Sequence, residues 1–519
     1  MSETNMEKNA HGNSLSDTDK TYFSQQTAEV VVCNDESKSG FSSVSRSFKA
    51  FSAKLDALGA EARGIERVPP EERDYNMSKL NMFFLWCSGT GSLTSASGFF
   101  LGPILLGLSL KDSMISGLFG ACFGALVAAF TSTLGPKSGL RQMVGSRFFF
   151  GWYFSRFCSL LNFISVCGFS VINCVFGGQI LNAISHGKCP IEIGIVIISV
   201  LSGIVAIVGI RFVHKCEKYM SVPLLIFFLL TFICAGKDFD NFTPSVGDSV
   251  TVAGNCLSFF AVCFGINAGW GSIASDYYIL FPEKTSSWLT FSVTFVGIFV
   301  PSAFVGSLAI CIASAWLSNP AYQTAYDNYG NGGLLKQALS RWNGGGDFIL
   351  VILFLSLFTN NILNLYSMPL SVQVIHSFFF RLPRWFLTVV GFIICLVCSV
   401  CGRNTLSNYL NNFLPMIGYW IIIFGTIIFE EMIFRGSKSN FNWADWNTKD
   451  KLTHGYAASF AFCCGAAGAV VGMCQAYYIG PIAIKIGEYG GDVAIWCSLV
   501  FTGVAYPPCR ILEKKYFKR

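Results

Sequence analysis

The sequence predicts an all-α polytopic membrane protein of twelve transmembrane helices: a five-plus-five inverted-repeat bundle with broken helices 1 and 6, followed by two additional helices. Three observations carry this expectation. Charged residues are 13% of the 519 and mean hydropathy is +0.52, where soluble domains hold about 25% charge. Twelve segments stay apolar for the roughly 20 residues that a helix needs to cross hydrocarbon. The first and sixth of them are interrupted by small and polar residues at a depth where lipid offers the backbone no hydrogen bonds.

Taken in order, residues 1–79 are polar, carry no apolar run long enough for a signal sequence, and read as a largely disordered tail. Phe48 to Leu58 has the spacing of a short amphipathic helix, and Pro69-Pro70-Glu71-Glu72-Arg73 makes a stiff approach to the first span. A ten-helix core is expected over 80–433, with spans at 81–107, 113–134, 154–183, 190–210, 219–236, 252–280, 287–315, 348–376, 384–401 and 412–433. A loop at 434–454 separates it from two more spans, 455–478 and 490–512, within a segment 455–512. Residues 513–519 form a basic C-terminal tail.

An even number of spans puts both termini on one side. With that side cytoplasmic, the inner loops hold thirteen lysines and arginines and the outer loops seven, which satisfies the positive-inside rule. Asn241-Phe242-Thr243 is a glycosylation sequon in an outer loop, compromised by Pro244 and by the shortness of the loop. The twenty cysteines lie mostly in apolar runs and lack zinc-finger spacing, so they read as small hydrophobes, with no metal site and no cofactor expected. Net charge is +6, yet no basic run is interleaved with aromatics, which argues against nucleic-acid binding. No Ser-His-Asp set, zinc-protease motif or phosphate loop occurs in the spans, so an enzyme is not expected.

The breaks locate a candidate site. The first span holds Ser88-Gly89-Thr90-Gly91-Ser92-Leu93-Thr94-Ser95-Ala96-Ser97-Gly98, and the sixth holds Gly265-Ile266-Asn267-Ala268-Gly269-Trp270-Gly271-Ser272. Each is compatible with close helix packing alone. Two such segments, opening successive groups of five spans, fit a midplane site where broken helices bare backbone donors and acceptors. The eighth span carries Thr359-Asn360-Asn361-Ile362-Leu363-Asn364, and Asn360 and Asn364 share a helical face. The third span, its equivalent in the other repeat, carries Phe169 and, four residues on, Asn173. Amides donate and accept, and Phe169 and Trp270 can clasp a flat ring, so a heteroaromatic ligand is expected, although single asparagines also serve as glue between helices. Glu217 and Asp276 are the proton-coupling candidates, with Glu430 and Glu431 behind them, and each is equally compatible with an interfacial ion pair.

From Arg63-Gly64-Ile65-Glu66-Arg67 onward the chain resembles the fungal purine-cytosine permease family, within the nucleobase-cation symporters. The resemblance rests on Gly135-Pro136-Lys137-Ser138-Gly139, Arg141-Gln142-Met143, Asn173 with Gly177-Gly178, Trp270-Gly271-Ser272, Asp276-Tyr277-Tyr278 and the eighth-span asparagines. Asn412-Phe413-Leu414-Pro415-Met416-Ile417-Gly418-Tyr419-Trp420 and Gly487-Glu488-Tyr489-Gly490-Gly491-Asp492 are similar to the vitamin B6 branch. Nucleobase carriers have Ser-Ala-Asn where this chain has Ser88-Gly89-Thr90, proline at Leu363 and tryptophan at Phe169. The resemblance implies substrate-binding roles for Ser95, Phe169, Asn173, Trp270 and Asn364, with Asn360 and Asn361 lining or shaping the pocket. It implies a proton-coupled importer of pyridoxine-like vitamers at the plasma membrane, the alternative being a cytosine or purine permease.

Overall fold

A computed structural model describes residues 64–76, 79–208, 210–435 and 441–517. The N-terminal tail to residue 63, the helix expected over 48–58, residues 436–440 of the loop and the last two residues lie outside them. Among the described residues nine helices are long and apolar enough to cross a membrane: Leu110–Ser138, Arg147–Ile184, Glu217–Ala235, Ser249–Ser272, Ser287–Ser318, Gly344–Ile375, Arg384–Gly402, Leu406–Phe434 and Ala494–Phe517. Three shorter apolar helices, Leu93–Leu106, Ile191–Ile207 and Tyr456–Gly472, occupy the remaining apolar segments. Each segment expected to span therefore carries a helix.

The layering follows from burial. Over their apolar windows the eighth and tenth spans are 72% buried and the third 67%, against 28% for the ninth and twelfth. The third, eighth and tenth are thus wrapped by others and present little surface to lipid. Glycines allow the closest approaches around the sixth span. A Cβ at Gly120 would sit 2.4 Å from the Phe260 carbonyl oxygen, and one at Gly265 would sit 1.9 Å from that of Leu414. Backbone contact of this kind sets the sixth span between the second and the tenth.

Three features depart from the hydropathy reading. Pro320–Ala338 is a helix between the seventh and eighth spans; Asn319 caps it by accepting from the Ala321 N–H at 3.0 Å, with Pro320 in its first turn. The eleventh span stops at Gly472 instead of 478, because Cys474–Gln475 and Tyr478–Ile479 pair as a short antiparallel hairpin. Cys398, Cys401 and Cys463 face outward, so the cysteines are only partly the buried hydrophobes expected.

The segment before the first span and the last span are both tied to the bundle. The Val68 N–H donates to the Gly139 carbonyl at 2.9 Å, and Arg73 Nη1 donates to the carbonyls of Pro136 and Phe281. Arg510 of the last span grips Glu431 through two bonds of 2.8 Å, all of it buried, and Glu513 accepts from the Gly455 and Ala457 N–H groups at the start of the eleventh span. Glu431 is therefore an ion-pair member.

Candidate functional site

The first span breaks as its composition predicts. Helix runs Lys79–Thr90, stops for Gly91 and extended Ser92, and resumes at Leu93. A helix end at this depth leaves N–H and C=O groups that water cannot reach. The eighth span supplies their partners: the Leu93 N–H donates to Ser356 Oγ at 3.0 Å, and Asn360 Nδ2 donates to the Gly89 carbonyl at 2.6 Å. Thr90 Oγ1 reaches the Trp86 and Gly297 carbonyls at 2.7 and 3.1 Å. The sixth span tightens after Ala268 into two short 3-10 turns, Gly269–Ser272 and Ala274–Tyr277.

A chain of amides runs from these breaks to the third span. Asn360 Oδ1 accepts from Asn173 Nδ2 at 2.9 Å and from Asn364 Nδ2 at 3.0 Å. Asn173 Oδ1 in turn accepts from Thr94 Oγ1. Asn361 turns away: its Nδ2 donates to Ser202 Oγ on the fourth span at 2.7 Å. The seven residues expected to bind thus separate into layers. Ser95, Phe169, Trp270, Asn360 and Asn364 line one small cavity with Thr94, Ser165, Val166, Ile266, Gly269 and Ile273. Asn173 lies one layer behind, with both amide atoms committed, and Asn361 acts between helices.

The cavity measures about 10 Å³, room for about one water. Admitting a ring requires the walls to part. Behind Trp270, the Trp86 ring meets it edge-on with centroids 5.7 Å apart and donates its N–H to Tyr278 OH at 3.0 Å. Leu363 presses on the first half-helix: a Cβ at Gly89 would lie 2.7 Å from Leu363 Cδ1 and 3.6 Å from Trp270 Cη2. The outer edge of Phe169 meets Phe413 of the tenth span, 6.1 Å between centroids.

Neither acidic candidate lines the cavity. Glu217 is wholly buried beside the Ser88 hydroxyl, and neither carboxyl oxygen has a hydrogen-bond partner among the described residues. Asp276 is anchored: its Oδ1 accepts from the Gln142 N–H at 2.7 Å and its backbone carbonyl from Arg141 Nη1 at 3.0 Å. Sequence reasoning passed over Thr94 and Ser165, although Thr94 lies in the flagged break and Ser165 one turn before Phe169. It also missed Ser356, four residues before Asn360 on the same helical face.

Amide and hydroxyl groups with two aromatic rings, Phe169 and Trp270, in one lining suit binding of a planar, hydrogen-bonding solute. Residues 67–485 match the family described as permease for cytosine/purines, uracil, thiamine, allantoin. The chain is 46% identical to vitamin B6 transporter TPN1 of Saccharomyces cerevisiae, over 90% of each chain. It is 35% identical to purine-cytosine permease fcyB of Emericella nidulans, over 90% of this chain and 92% of that one, and 32% identical to purine-cytosine permease FCY2 of Saccharomyces cerevisiae, over 98% and 96%. Among solved structures it matches Mhp1, a nucleobase-cation-symport-1 family transporter in a closed conformation with bromovinylhydantoin bound, at TM-score 0.65 and 14% identity over 88% of this chain and 95% of that one. A Na+-coupled sialic acid symporter matches at TM-score 0.57 and 14% identity, over 90% and 96%. At that identity the shared property is the fold.

Proposed function

This chain belongs to the permease family for cytosine/purines, uracil, thiamine and allantoin, and on that premise we propose that it is a secondary active importer of vitamin B6 working by alternating access. The observation that carries the reading is the 46% identity to a vitamin B6 transporter over nine-tenths of both chains, against 35% or less for the purine-cytosine permeases. Pyridoxine, pyridoxal and pyridoxamine are flat rings with a ring nitrogen, a phenolic hydroxyl and polar side groups. Phe169 and Trp270 face the ring, and Ser95, Thr94 and Asn364 meet its polar edge. Asn364 Nδ2 already bonds Asn360, so its Oδ1 is the acceptor it offers. Asn173 and Asn360 hold the frame that orients it, and Asn361 holds the eighth span to the fourth.

A closed cavity demands that the tenth span and Phe413 swing aside on the outer side, and that the bundle rock to open the inner side. The driving ion in this reading is the proton, with Glu217 as its carrier and Asp276 as an anchor of the inner end of the sixth span. One proton moving inward gains about 2.3 kcal/mol per 100 mV. The protein works at the plasma membrane with both termini cytoplasmic and twelve spans. Radiolabelled pyridoxine uptake in a strain without its own uptake system tests this: saturable accumulation that collapses with the proton gradient is expected, and absence of uptake by a surface-expressed protein overturns it. The second reading, a cytosine or purine permease, rests on the 35% relative. It is favoured if cytosine or adenine competes at lower concentration than pyridoxine.

A further inference from the structure

A second cavity, of about 460 Å³, lies at the opposite end of the third span from Asn173, and the site above makes no use of it. Trp152, Tyr153, Phe154 and Phe157 form one wall; Lys449, Asp450, Thr453, His454, Tyr456 and Ser459, from the loop before the eleventh span and its first turn, form the other. We infer that this cavity binds the headgroup of a membrane phospholipid that carries a phosphate and a primary amine.

The surroundings fix its depth in the bilayer. Tyr153 and Tyr456 are each 61% exposed, and Phe157 and Phe460 are open as well. Exposed aromatics at the ends of spans mark the headgroup level. Tyr153, Phe157, Leu160 and Ile164, all exposed, follow one another at intervals of four, three and four, so they form a single outward stripe leading from the cavity along the third span. That stripe gives an acyl chain its track.

The charges define the headgroup. Lys449 Nζ donates to Tyr153 OH at 2.8 Å and lies 4.8 Å from the centre of its ring. Arg156 leans over the same surface, 5.5 Å from the Tyr153 ring and 5.7 Å from that of Trp152. Among the described residues neither cation is in an ion pair, whereas Lys451 beside them is paired with Asp445 at 2.7 Å. Two unpaired cations on aromatic faces at headgroup level call for a phosphate. Asp450 lines the same cavity, so a purely anionic headgroup meets repulsion there, and a primary ammonium, which has the N–H groups a quaternary one lacks, can donate to the carboxylate. Phosphatidylserine and phosphatidylethanolamine combine both groups. In the orientation proposed above, this end faces the leaflet where phosphatidylserine resides.

Full-length protein in detergent, delipidated and re-exposed to phosphatidylethanolamine, phosphatidylserine, phosphatidylcholine and phosphatidylglycerol, tests the assignment by native mass spectrometry. The two amine-bearing lipids are expected to be retained over the other two. Two basic groups near a membrane surface are together worth about 30-fold in binding, so Lys449→Ala with Arg156→Ala should cut retention by that order. Lys449→Arg with Arg156→Lys should preserve it, and thermal stability of the variants separates lost binding from lost fold. Asp450→Asn should erase the preference for an amine while leaving phosphate-dependent binding. Equal retention of all four lipids, or undiminished retention by the double alanine variant, overturns the proposal. Displacement by free phosphoethanolamine at the concentration at which the lipid binds overturns the lipid as the source of the headgroup.

Discussion

Replacing Gly89 by alanine tests whether the first-span break is fitted to Leu363. The added methyl would stand 2.7 Å from Leu363 Cδ1, where carbon atoms normally rest about 3.5–4.0 Å apart. One of the two groups must retreat by about 1 Å. Leu363 is fully buried, so its methyl can yield only by pressing on the side chains packed around it. Gly89 can retreat only by carrying its carbonyl away from Asn360 Nδ2, now 2.6 Å distant. That bond leads through Asn360 to both Asn173 and Asn364. Overpacking of this size costs about 1–3 kcal/mol, which is about 5- to 150-fold if it falls on the substrate-competent geometry. The expected outcome is a KM for pyridoxine raised within that range, with surface expression preserved. Leu363→Ala alone should also impair transport, by leaving a hole behind Trp270. In the double variant the new methyl occupies part of that hole, so the two defects should offset by about 0.5–3 kcal/mol of coupling. Uptake kinetics on the four members of the cycle give the number. A Gly89→Ala transporter with unchanged KM, or strictly additive single effects, refutes the reasoning.

Four further outcomes follow from the same geometry. Glu217→Gln should flatten the dependence of uptake on external pH while leaving exchange of labelled for unlabelled substrate, because it removes a titrating group and keeps its shape; a profile parallel to wild type would count against proton carriage there. Asn364→Ala should raise KM with fold stability intact, whereas Asn360→Ala leaves the buried Gly89 carbonyl only the Ser92 hydroxyl at 3.2 Å and takes the acceptor from Asn173 Nδ2, so it should lower thermal stability by about 1–3 kcal/mol as well; purified-protein melting beside uptake separates the two. Glu431→Gln removes one of the two buried carboxylates paired with Arg510, the other being Glu513 at 3.3 Å, and should destabilise by about 1–3 kcal/mol, read as a fall in melting temperature. In the loop before the last span, burial pushes the Asp492 carboxyl up to about 6, above its ordinary 3.8, against bonds from Tyr419 and backbone N–H groups. Its folded state binds the proton more tightly than its unfolded state, so the loop should lose stability as pH rises from about 4 to 6 and stay level above. Hydrogen exchange over 473–493 measures this, and Asp492→Asn should abolish the slope.

How much of this was legible in the sequence varies with the physical scale of each feature. Spans are written in composition, since about 20 apolar residues have one common fate in a bilayer. The breaks were legible too, because Gly91-Ser92 and Gly269-Trp270-Gly271 sit where no lipid-exposed irregular backbone is tolerated. The Pro320–Ala338 helix was not, since a polar helix leaves no hydropathy trace and only Asn319-Pro320 announces it. Within the site, residue type told that polar groups meet inside the bundle, but not what they meet. Asn360 and Asn173 have the donors and acceptors a ligand wants, and so does a severed helix. Only the register between the first and eighth spans decides between them, and register is a tertiary quantity.

That decision changes how the asparagines serve a solute. Ser356, Asn360 and Asn364 stand four residues apart on one face of the eighth span. The first two close the broken ends of the first span, at the Leu93 N–H and the Gly89 carbonyl, and the third reaches the cavity. One helix therefore both mends the break and presents a ligand group, so displacing the first half-helix must disturb Asn360 and, through it, Asn364. A rocking motion that moves the first span against the eighth cannot leave the cavity rim unchanged. On the transport reading proposed above, the coupling between gate and site runs through these three side chains, and the bond from Asn360 to Gly89 is its joint.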